Sequence, residues 1–253
     1  RMRGIVVDVF RPGETHVLHL NMTKPPLDNP LVRQAIAYTL SRTELITAIG
    51  PDIAEPLCGL VPVYLAGGLS CDEAAARGVF YEADLAKARA LLAQAGYPDG
   101  FALSAYITER ASYRKPFENI QAQLARVGIQ LEIKVTDHAS FHSLIRKDVN
   151  PLVHYEAWRP SADSFLTRFY HSESIVVTGK KPDTNFSHVT AADGLIEAAR
   201  VALDPNVQVA LWKDAQEVIL REVAALPFYV LKFVFARSDR LQYGYELKFS
   251  FAL

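Results

Sequence analysis

The chain has 253 residues, of which 50% are hydrophobic and 22% are charged. This composition is typical of a globular protein with one large or two modest domains. The formal net charge is −1, and no cluster of Lys and Arg suits a phosphate backbone, which argues against a nucleic-acid partner. The apolar run at 226–236 is interrupted by Lys232 and is shorter than the roughly 20 residues of a membrane helix, so no transmembrane segment is predicted.

The first ten residues, RMRGIVVDVF, lack the apolar core and the cleavage site of a secretory signal peptide. We therefore expect a chain that begins after processing or truncation. The two cysteines, Cys58 and Cys71, share one stretch rich in Gly and Pro. Cysteines this close in sequence suit a local disulfide in an oxidising compartment, and two free thiols are the alternative.

The first predicted elements are a strand and a helix with almost no loop between them. Residues 15–22 (THVLHLNM) alternate as in a strand with two unlike faces, and the double proline at 25–26 ends any ladder pairing. Asn29 is a suitable N-cap for the helix that follows, whose apolar residues recur at helical spacing. An S-x-x-E capping box at 41–44 predicts a second helix immediately afterwards.

Residues 50–80 are punctuated by proline and glycine and are predicted to form a long surface loop. Asp84 then caps a predicted helix with an apolar stripe, which Gly96 ends. Loops as long as 50–80 usually have a function, so that loop is of interest beyond its role as a connection.

The clearest fold signal is a βαβ unit in the middle of the chain. Strand patterns at 101–108 and 129–135 flank an amphipathic helix, and this order requires parallel strands. A short helix at 139–147 and a strand at 152–158 continue the alternation, so the predicted fold class is α/β.

The last third of the chain is predicted to contain two helices and a strand. The helices lie at 191–203 and 206–223, and the strand at 226–236 leads into an aromatic tail.

No catalytic or metal-binding motif is convincing. Asp137, His138 and His142 place two imidazoles one turn apart beside a carboxylate, but a third ligand at fixed spacing is missing. A solvated helix start capped by Asp137 is the alternative, and it is the interpretation we favour. The segment 173–184 lacks a nucleotide-binding loop, and no serine lies in a nucleophile elbow, so neither an enzyme nor a cofactor is predicted.

Residues 154–169 (HYEAWRPSADSFLTRF) are the strongest candidate for a binding site. The predicted strand ends in Trp158, and Arg159, Ser161 and Asp163 crowd the turn before a helix that begins at about Ser164. The carboxyl ends of parallel strands, opposite helix N-termini, are where α/β proteins bind small ligands. The structural alternative is a Trp that covers the sheet edge and an Asp that only caps the helix.

Several segments, in order, resemble family 5 extracellular solute-binding proteins, the dipeptide-, oligopeptide- and nickel-binding components of bacterial ABC importers. The most characteristic is LHLNMTKPPLDNPLVRQAIAYTLSRTELI near the start. The remaining segments follow in the family's order and extend the resemblance from about residue 16 to 241: DLAKARALLAQAGYPDGF, IQAQLARVGIQLEIKV, AWRPSADSFLTRF and NFSHVTAADGLIEAARVALDPNVQVALWKDAQEVILREVAALPFYV.

The resemblance implies an α/β lobe of the class II periplasmic-binding-protein type, with βαβ units and a mixed sheet. Residues 1–20 would be a hinge strand and the remnant of a first lobe that is mostly absent, 21–235 the second lobe, and 236–253 the segment that returns to the first lobe. The strands on either side of the second lobe would then run close together. Ligand would be trapped between the lobes by hinge closure.

The resemblance also implies roles for individual residues. Trp158 matches an aromatic residue that lines the ligand cleft of the family, and Arg146 falls where oligopeptide binders place an arginine for the peptide. The acidic residue that pairs with a peptide amino group is replaced by Ser161, so Asp163 is the candidate substitute. Tyr155 takes the position of a second arginine. With Arg159, these six residues are the predicted ligand-binding set.

The predicted function is capture of a peptide or another polar organic solute and its delivery to the permease subunits of an ABC importer. The resemblance implies export to the periplasm or the extracellular space. The ligand-sensing domain of a cytoplasmic transcriptional regulator is the alternative, against which a Cys58–Cys71 disulfide would argue.

Overall fold

The computed structural model describes residues 4–242 and Gly244. Its main sheet has four strands in the order β2-β6-β1-β5, and every neighbouring pair is antiparallel. A second sheet contains the parallel pair β3 and β4. The strand bounds are β1 Ile5–Leu20, β2 Ala54–Pro56, β3 Ala102–Thr108, β4 Gln130–Thr136, β5 Leu152–Ala157 and β6 Ala225–Ser238.

Nine α-helices accompany these strands in the part of the chain that the structure describes. The bounds are α1 Pro30–Thr39, α2 Arg42–Ile49, α3 Cys71–Ala76, α4 Leu85–Gln94, α5 Ala111–Ala125, α6 His138–Arg146, α7 Ala162–Tyr170, α8 Asp193–Val201 and α9 Pro205–Arg221. Asn29, Ser41 and Asp84 each accept a backbone hydrogen bond as N-caps, which confirms the predicted helix starts. Among the described residues, no helix is long and apolar enough to cross a membrane.

The two long strands β1 and β6 form an antiparallel ribbon from Ile5 opposite Ser238 to His19 opposite Ala225. The resemblance predicted that these segments run side by side, and the strand pairing confirms it. The strand predicted at 15–22 corresponds to only the C-terminal part of β1, which begins at Ile5. We call the part of the β1–β6 ribbon near Leu20 its inner end and the part near Ile5 its outer end. The division into residues 1–20, 21–235 and 236–253 stays a prediction, and most of 243–253 lies outside the described residues.

The predicted βαβ unit is present, since β3 and β4 pair in parallel from Ala102 opposite Gln130 to Thr108 opposite Thr136, with α5 between them. The continuation of parallel pairing into β5 is not observed. That strand instead pairs antiparallel with β1. The Asn150 side chain occupies the edge of β3, where its amide bonds both the Tyr106 N–H (3.0 Å) and the Tyr106 carbonyl (2.9 Å). The Asn150 side chain thus connects the edge of the parallel sheet to the residues just before β5.

The main sheet separates two hydrophobic cores. Val17, Val153 and Tyr155 point to one side, where α7, α8 and α9 pack. Leu18 and Leu152 point to the opposite side, towards α1, α5 and the βαβ unit. Side chains on both faces of β1 and β5 are therefore buried, as expected for strands in a central layer.

The segment 50–80 was predicted to be a surface loop, but much of it is packed into the first core. Leu60, Val61 and Leu69 are almost completely buried. The Gln216 side chain of α9 accepts hydrogen bonds from the Leu60 and Val61 amides and donates one to the Gly67 carbonyl. A buried side-chain amide therefore satisfies backbone groups that an irregular segment would otherwise leave unpaired.

The same segment contains a disulfide between Cys58 and Cys71, whose Cα atoms are 4.9 Å apart. We expect a Cys58→Ala/Cys71→Ala variant to lose about 2–4 kcal/mol of unfolding free energy, because the open loop is less constrained in the unfolded chain. Urea unfolding of the oxidised protein and the variant measures the difference. Two titratable thiols per chain in the unfolded, unreduced protein would reject the bond.

Candidate functional site

An open cleft of about 450 Å³ lies at the carboxyl end of β5, beside β1 and the start of α7. Its walls combine aromatic, acidic and basic side chains, a combination typical of a site for a polar small molecule. A larger open groove of about 750 Å³ lies over β3, β4 and α5, but of the described residues on its walls only Glu132 is charged. The residues that line the smaller cleft are Glu14, Tyr155, Glu156, Ala157, Trp158, Arg159, Pro160, Ser164 and Arg168.

Three of the six predicted site residues line this cleft: Tyr155, Trp158 and Arg159. The Arg159 guanidinium donates to the Trp158 carbonyl (2.8 Å) and lies 5.3 Å from the centroid of the Phe169 ring. Burial lowers the pKa of Arg159, and its Nε atom is buried with no hydrogen-bond partner among the described residues. This guanidinium is therefore held in place with unused donor capacity.

Arg146 adjoins the cleft through Tyr155, whose hydroxyl it reaches at 3.5 Å. The same guanidinium lies 3.0 Å from His142 Nδ1, and His142 Nε2 lies 3.1 Å from His138 Nε2. Burial, with the nearby His138 and Arg146, lowers the pKa of His142 to about 4. Its imidazole is therefore neutral at physiological pH.

The metal-site alternative at Asp137, His138 and His142 gains no support. Asp137 accepts a hydrogen bond from the Ser140 amide (2.9 Å) as the N-cap of α6, in line with the capping interpretation. Within the described residues, no group of three or more His, Cys, Asp or Glu side chains is placed to hold a metal ion.

Ser161 and Asp163 lie next to the cleft but do not line it. Ser161 is the N-cap of α7 and accepts from the Ser164 amide (3.2 Å), so this helix begins slightly earlier than predicted. Asp163 accepts hydrogen bonds from Arg200 and Thr167, both at 2.9 Å. The carboxylate of Asp163, which the sequence suggested as a substitute partner for a ligand amine, is thus bound to Arg200 of α8.

Two acidic residues that sequence reasoning missed, Glu14 and Glu156, line the cleft instead. A β-bulge between Phe10 and Glu14 precedes Glu14, and such bulges redirect the side chains that follow them. His16 lies opposite Glu156 in the β1–β5 ladder, so period-two alternation puts Glu14 and Glu156 on the same face. In the sequence, Pro12 followed by Gly13 is the available indication of a bulge before Glu14. The strand that pairs with this segment could not be identified from the sequence.

Glu156 is in an unusual electrostatic environment. Its side chain is only 10% exposed, and burial raises its pKa to about 8, with the nearby Glu14 adding to the effect. Its Oε1 atom has no hydrogen-bond partner among the described residues. The pKa of Glu14 is also raised by burial. Within the part of the chain that the structure describes, neither carboxyl group forms an ion pair with a Lys or Arg, the partners that normally accompany a buried carboxylate.

Buried histidines lie beneath this acidic pair. His16 Nδ1 lies 3.3 Å from His154 Nε2 and 3.9 Å from Glu156 Oε1, and the His16 ring stacks on Tyr229. Burial lowers the pKa of His16 far below its ordinary value and that of His154 to about 3. Because both rings are neutral, they do not neutralise Glu156.

The raised pKa of Glu156 predicts a pH-dependent stability cost in the unliganded protein. The pKa of Glu156 in the folded protein lies above the unfolded value near 4.5. The protonated Glu156 therefore causes no loss of stability below pH 4.5, and the free energy of unfolding falls as pH rises from 4.5 to about 8. A Glu156→Gln variant should therefore be more stable than the parent by about 1–3 kcal/mol at pH 9 and equal to it at pH 4. Urea unfolding at both pH values measures this, and a variant that is no more stable at pH 9 would contradict it.

Comparison with known proteins places the chain in a family. The family model of bacterial extracellular solute-binding proteins, family 5 Middle, matches residues 2–175. The glutathione-binding protein GsiB of Salmonella choleraesuis (strain SC-B67) is 32% identical over 232 residues, which are 88% of this chain and 44% of that protein.

Solved structures show the same fold. The binding protein MoaA from A. tumefaciens R10, in complex with mannopinic acid, has a TM-score of 0.89 and 37% identity and covers 97% of this chain. The periplasmic binding protein DppA from Helicobacter pylori, in complex with the peptide STSA, has a TM-score of 0.83, 26% identity and 95% coverage. This chain spans less than half of each, 48% and 46% respectively. These matches confirm both the α/β fold class and the predicted resemblance, and the chain belongs to the bacterial extracellular solute-binding proteins of family 5.

Proposed function

We propose that this chain forms the greater part of one lobe of the solute-binding component of an ABC importer. The component captures a polar amino-acid derivative or a peptide and delivers it to permease subunits in the membrane. The observation that carries the proposal is the cleft at the end of β5, where Trp158 lies among both acidic and basic side chains. Its role is binding rather than catalysis, in keeping with the family.

The proposed ligand class follows from the chemistry of the cleft walls. Glu14 and Glu156 supply carboxyl groups that can pair with a cation once ionised, and Arg159 and Arg168 supply positive groups. Glutathione and peptides, named as ligands of similar proteins, carry both an ammonium and carboxylate groups. A molecule with charges of both signs therefore suits this cleft better than a neutral or purely anionic solute.

A second lobe would complete the site. Chains of this family are about twice as long as the present one, and the outer end of the β1–β6 ribbon exposes large apolar side chains, Ile5, Val7, Val9, Val234 and Phe235. Exposed apolar surface of this kind is typical of an interface. We propose that the ribbon is the hinge, with residues 21–235 as one lobe, and that closure encloses the ligand.

An exported protein is favoured over the regulator alternative. The Cys58–Cys71 disulfide requires an oxidising compartment to form and persist, and cytoplasmic proteins rarely keep one. We therefore propose that the protein acts in the periplasm or the extracellular space.

The two tryptophans provide a matched test of the site. In the complete gene product, Trp158→Ala should weaken ligand binding at least tenfold and leave the melting temperature nearly unchanged, because Trp158 lines the cleft. Trp212→Ala should do the reverse, since Trp212 is a core residue of α9 and its loss costs about 3–5 kcal/mol.

Native mass spectrometry identifies the ligand that co-purifies with the protein from its own host, and isothermal titration calorimetry measures binding to each variant. A Trp158→Ala protein that binds normally but melts much earlier would show that Trp158 is structural. Absence of any small molecule on the wild-type protein, together with no binding of glutathione or the peptide STSA, would reject the proposed function.

A further inference from the structure

The acidic pair in the cleft has a defined geometry. His16 pairs with Glu156 across β1 and β5, and Glu14 is two residues before His16 on the same face. Glu14 and Glu156 are therefore diagonal neighbours, a placement that brings long side chains within reach of one another. Both line the same cleft, so a group bound there can contact both carboxylates.

The charges around this pair do not neutralise it. His16 and His154 are neutral, and Tyr113 of α5 and Tyr229 of β6 have pKa values raised by burial, so they carry no charge at physiological pH. Arg110, which precedes α5, acts on both carboxyl groups only at a distance and is itself exposed.

A hydrogen bond from the Ser112 side chain to the Glu156 carboxyl group lowers its pKa, but burial has the larger effect and the Oε1 atom remains without a hydrogen-bond partner among the described residues. Arg159 and Arg168 line the cleft, yet neither is among the groups that act on Glu14 or Glu156. Ionisation of a nine-tenths-buried carboxyl group with an unpartnered oxygen is costly, and a cation in the cleft would offset that cost.

An organic amine fits this site better than a metal ion. The described residues provide no cluster of three His, Cys, Asp or Glu ligands here, and hard cations usually require more oxygen ligands than two carboxylates supply. An ammonium offers up to three hydrogen bonds to the two carboxylates, and the ring of Trp158 on the cleft wall can add a cation–π contact.

We propose that Glu14 and Glu156 together anchor a protonated amino group of the ligand, so that the site selects solutes with a cationic nitrogen. The inference rests on the proposed function and specifies its ligand. It assigns the amine contact to β1 and β5, while Asp163 at the start of α7 remains paired with Arg200. The guanidinium of Arg159 then lies on the cleft wall for an acidic group of the same molecule.

The test compares matched ligands and matched variants of the complete gene product. The ligand released from the wild-type protein is identified by mass spectrometry, and calorimetry measures glutathione and N-acetylglutathione binding in the absence and in the presence of EDTA. Glu156→Gln and Glu14→Gln remove one charge each. Glu132→Gln, which removes an exposed carboxylate of β4 in the other groove, is the control.

We expect the released ligand to contain a basic nitrogen. Glu156→Gln should weaken binding of that ligand, or of glutathione, by about 10- to 100-fold, and Glu14→Gln should weaken it as well. N-acetylglutathione should bind the wild-type protein weakly and lose no further affinity in Glu156→Gln. Glu132→Gln should bind as the wild type does.

Proton release provides a second readout. At pH 7 the unliganded Glu156 holds its proton, because burial raises its pKa to about 8, and an ammonium can pair only with the ionised form. Calorimetry in buffers of different ionisation enthalpy should therefore show release of a proton on binding to the wild type. The release should be smaller in Glu156→Gln, and equal release would overturn the role of Glu156.

Failure of this inference is distinguishable from failure of the proposed function. A bound ligand without a cationic nitrogen, equal affinity of the wild type and both Gln variants, or loss of binding on addition of EDTA would overturn the amine anchor and leave solute binding intact. A wild-type protein that carries no ligand and binds neither glutathione nor the peptide STSA would overturn the proposed function, and this inference with it.

Discussion

The long antiparallel pairing of β1 with β6 is the interaction on which the rest of the structure depends. These strands are adjacent although they lie at opposite ends of the described chain, and every other element of the main sheet is added to their edges: β5 to β1, and β2 to β6. Because the ribbon is buried on both faces at its inner end, it also divides the two hydrophobic cores. The position of β5, and hence of the cleft at its end, is determined by this pairing.

The cleft combines features that favour binding over stability. Glu156 is buried next to neutral imidazoles and another carboxyl group, an arrangement that raises the free energy of the unliganded protein. Proteins generally tolerate such groups where function requires them, and the cost is offset elsewhere in the fold. Here the disulfide, the capped helices and the Gln216 hydrogen bonds to residues 60, 61 and 67 stabilise the surrounding lobe.

Features encoded by neighbouring residues could be predicted from the sequence, and features that depend on distant pairing could not. Asn29, Ser41 and Asp84 were identified as N-caps because the capping bond joins residues two or three apart. The partner of β5 was not identified, since β1 lies more than 130 residues away and no local pattern specifies the choice. Glu14 and Glu156 were missed for the same reason, because their proximity exists only once the register of β1 and β5 is fixed. The burial of residues 50–80 was missed because it depends partly on Gln216 of α9, which bonds the backbone at 60, 61 and 67 from about 150 residues away.

The bulge before Glu14 has a consequence for how the sequence of this protein can vary. Three residues of β1, at 11–13, lie opposite the single residue Lys232 of β6, so β1 has more residues than its partner strand at that point. Insertion or deletion of a residue there can be absorbed by the bulge, with the inner pairs from Glu14 onwards and the outer pairs up to Phe10 each keeping their own register. A Cβ atom at Gly13 would lie only 2.0 Å from the Leu231 carbonyl oxygen, so length can change in this loop more freely than the glycine can be replaced. The outer ribbon can thus diverge in evolution without moving the acidic pair in the cleft.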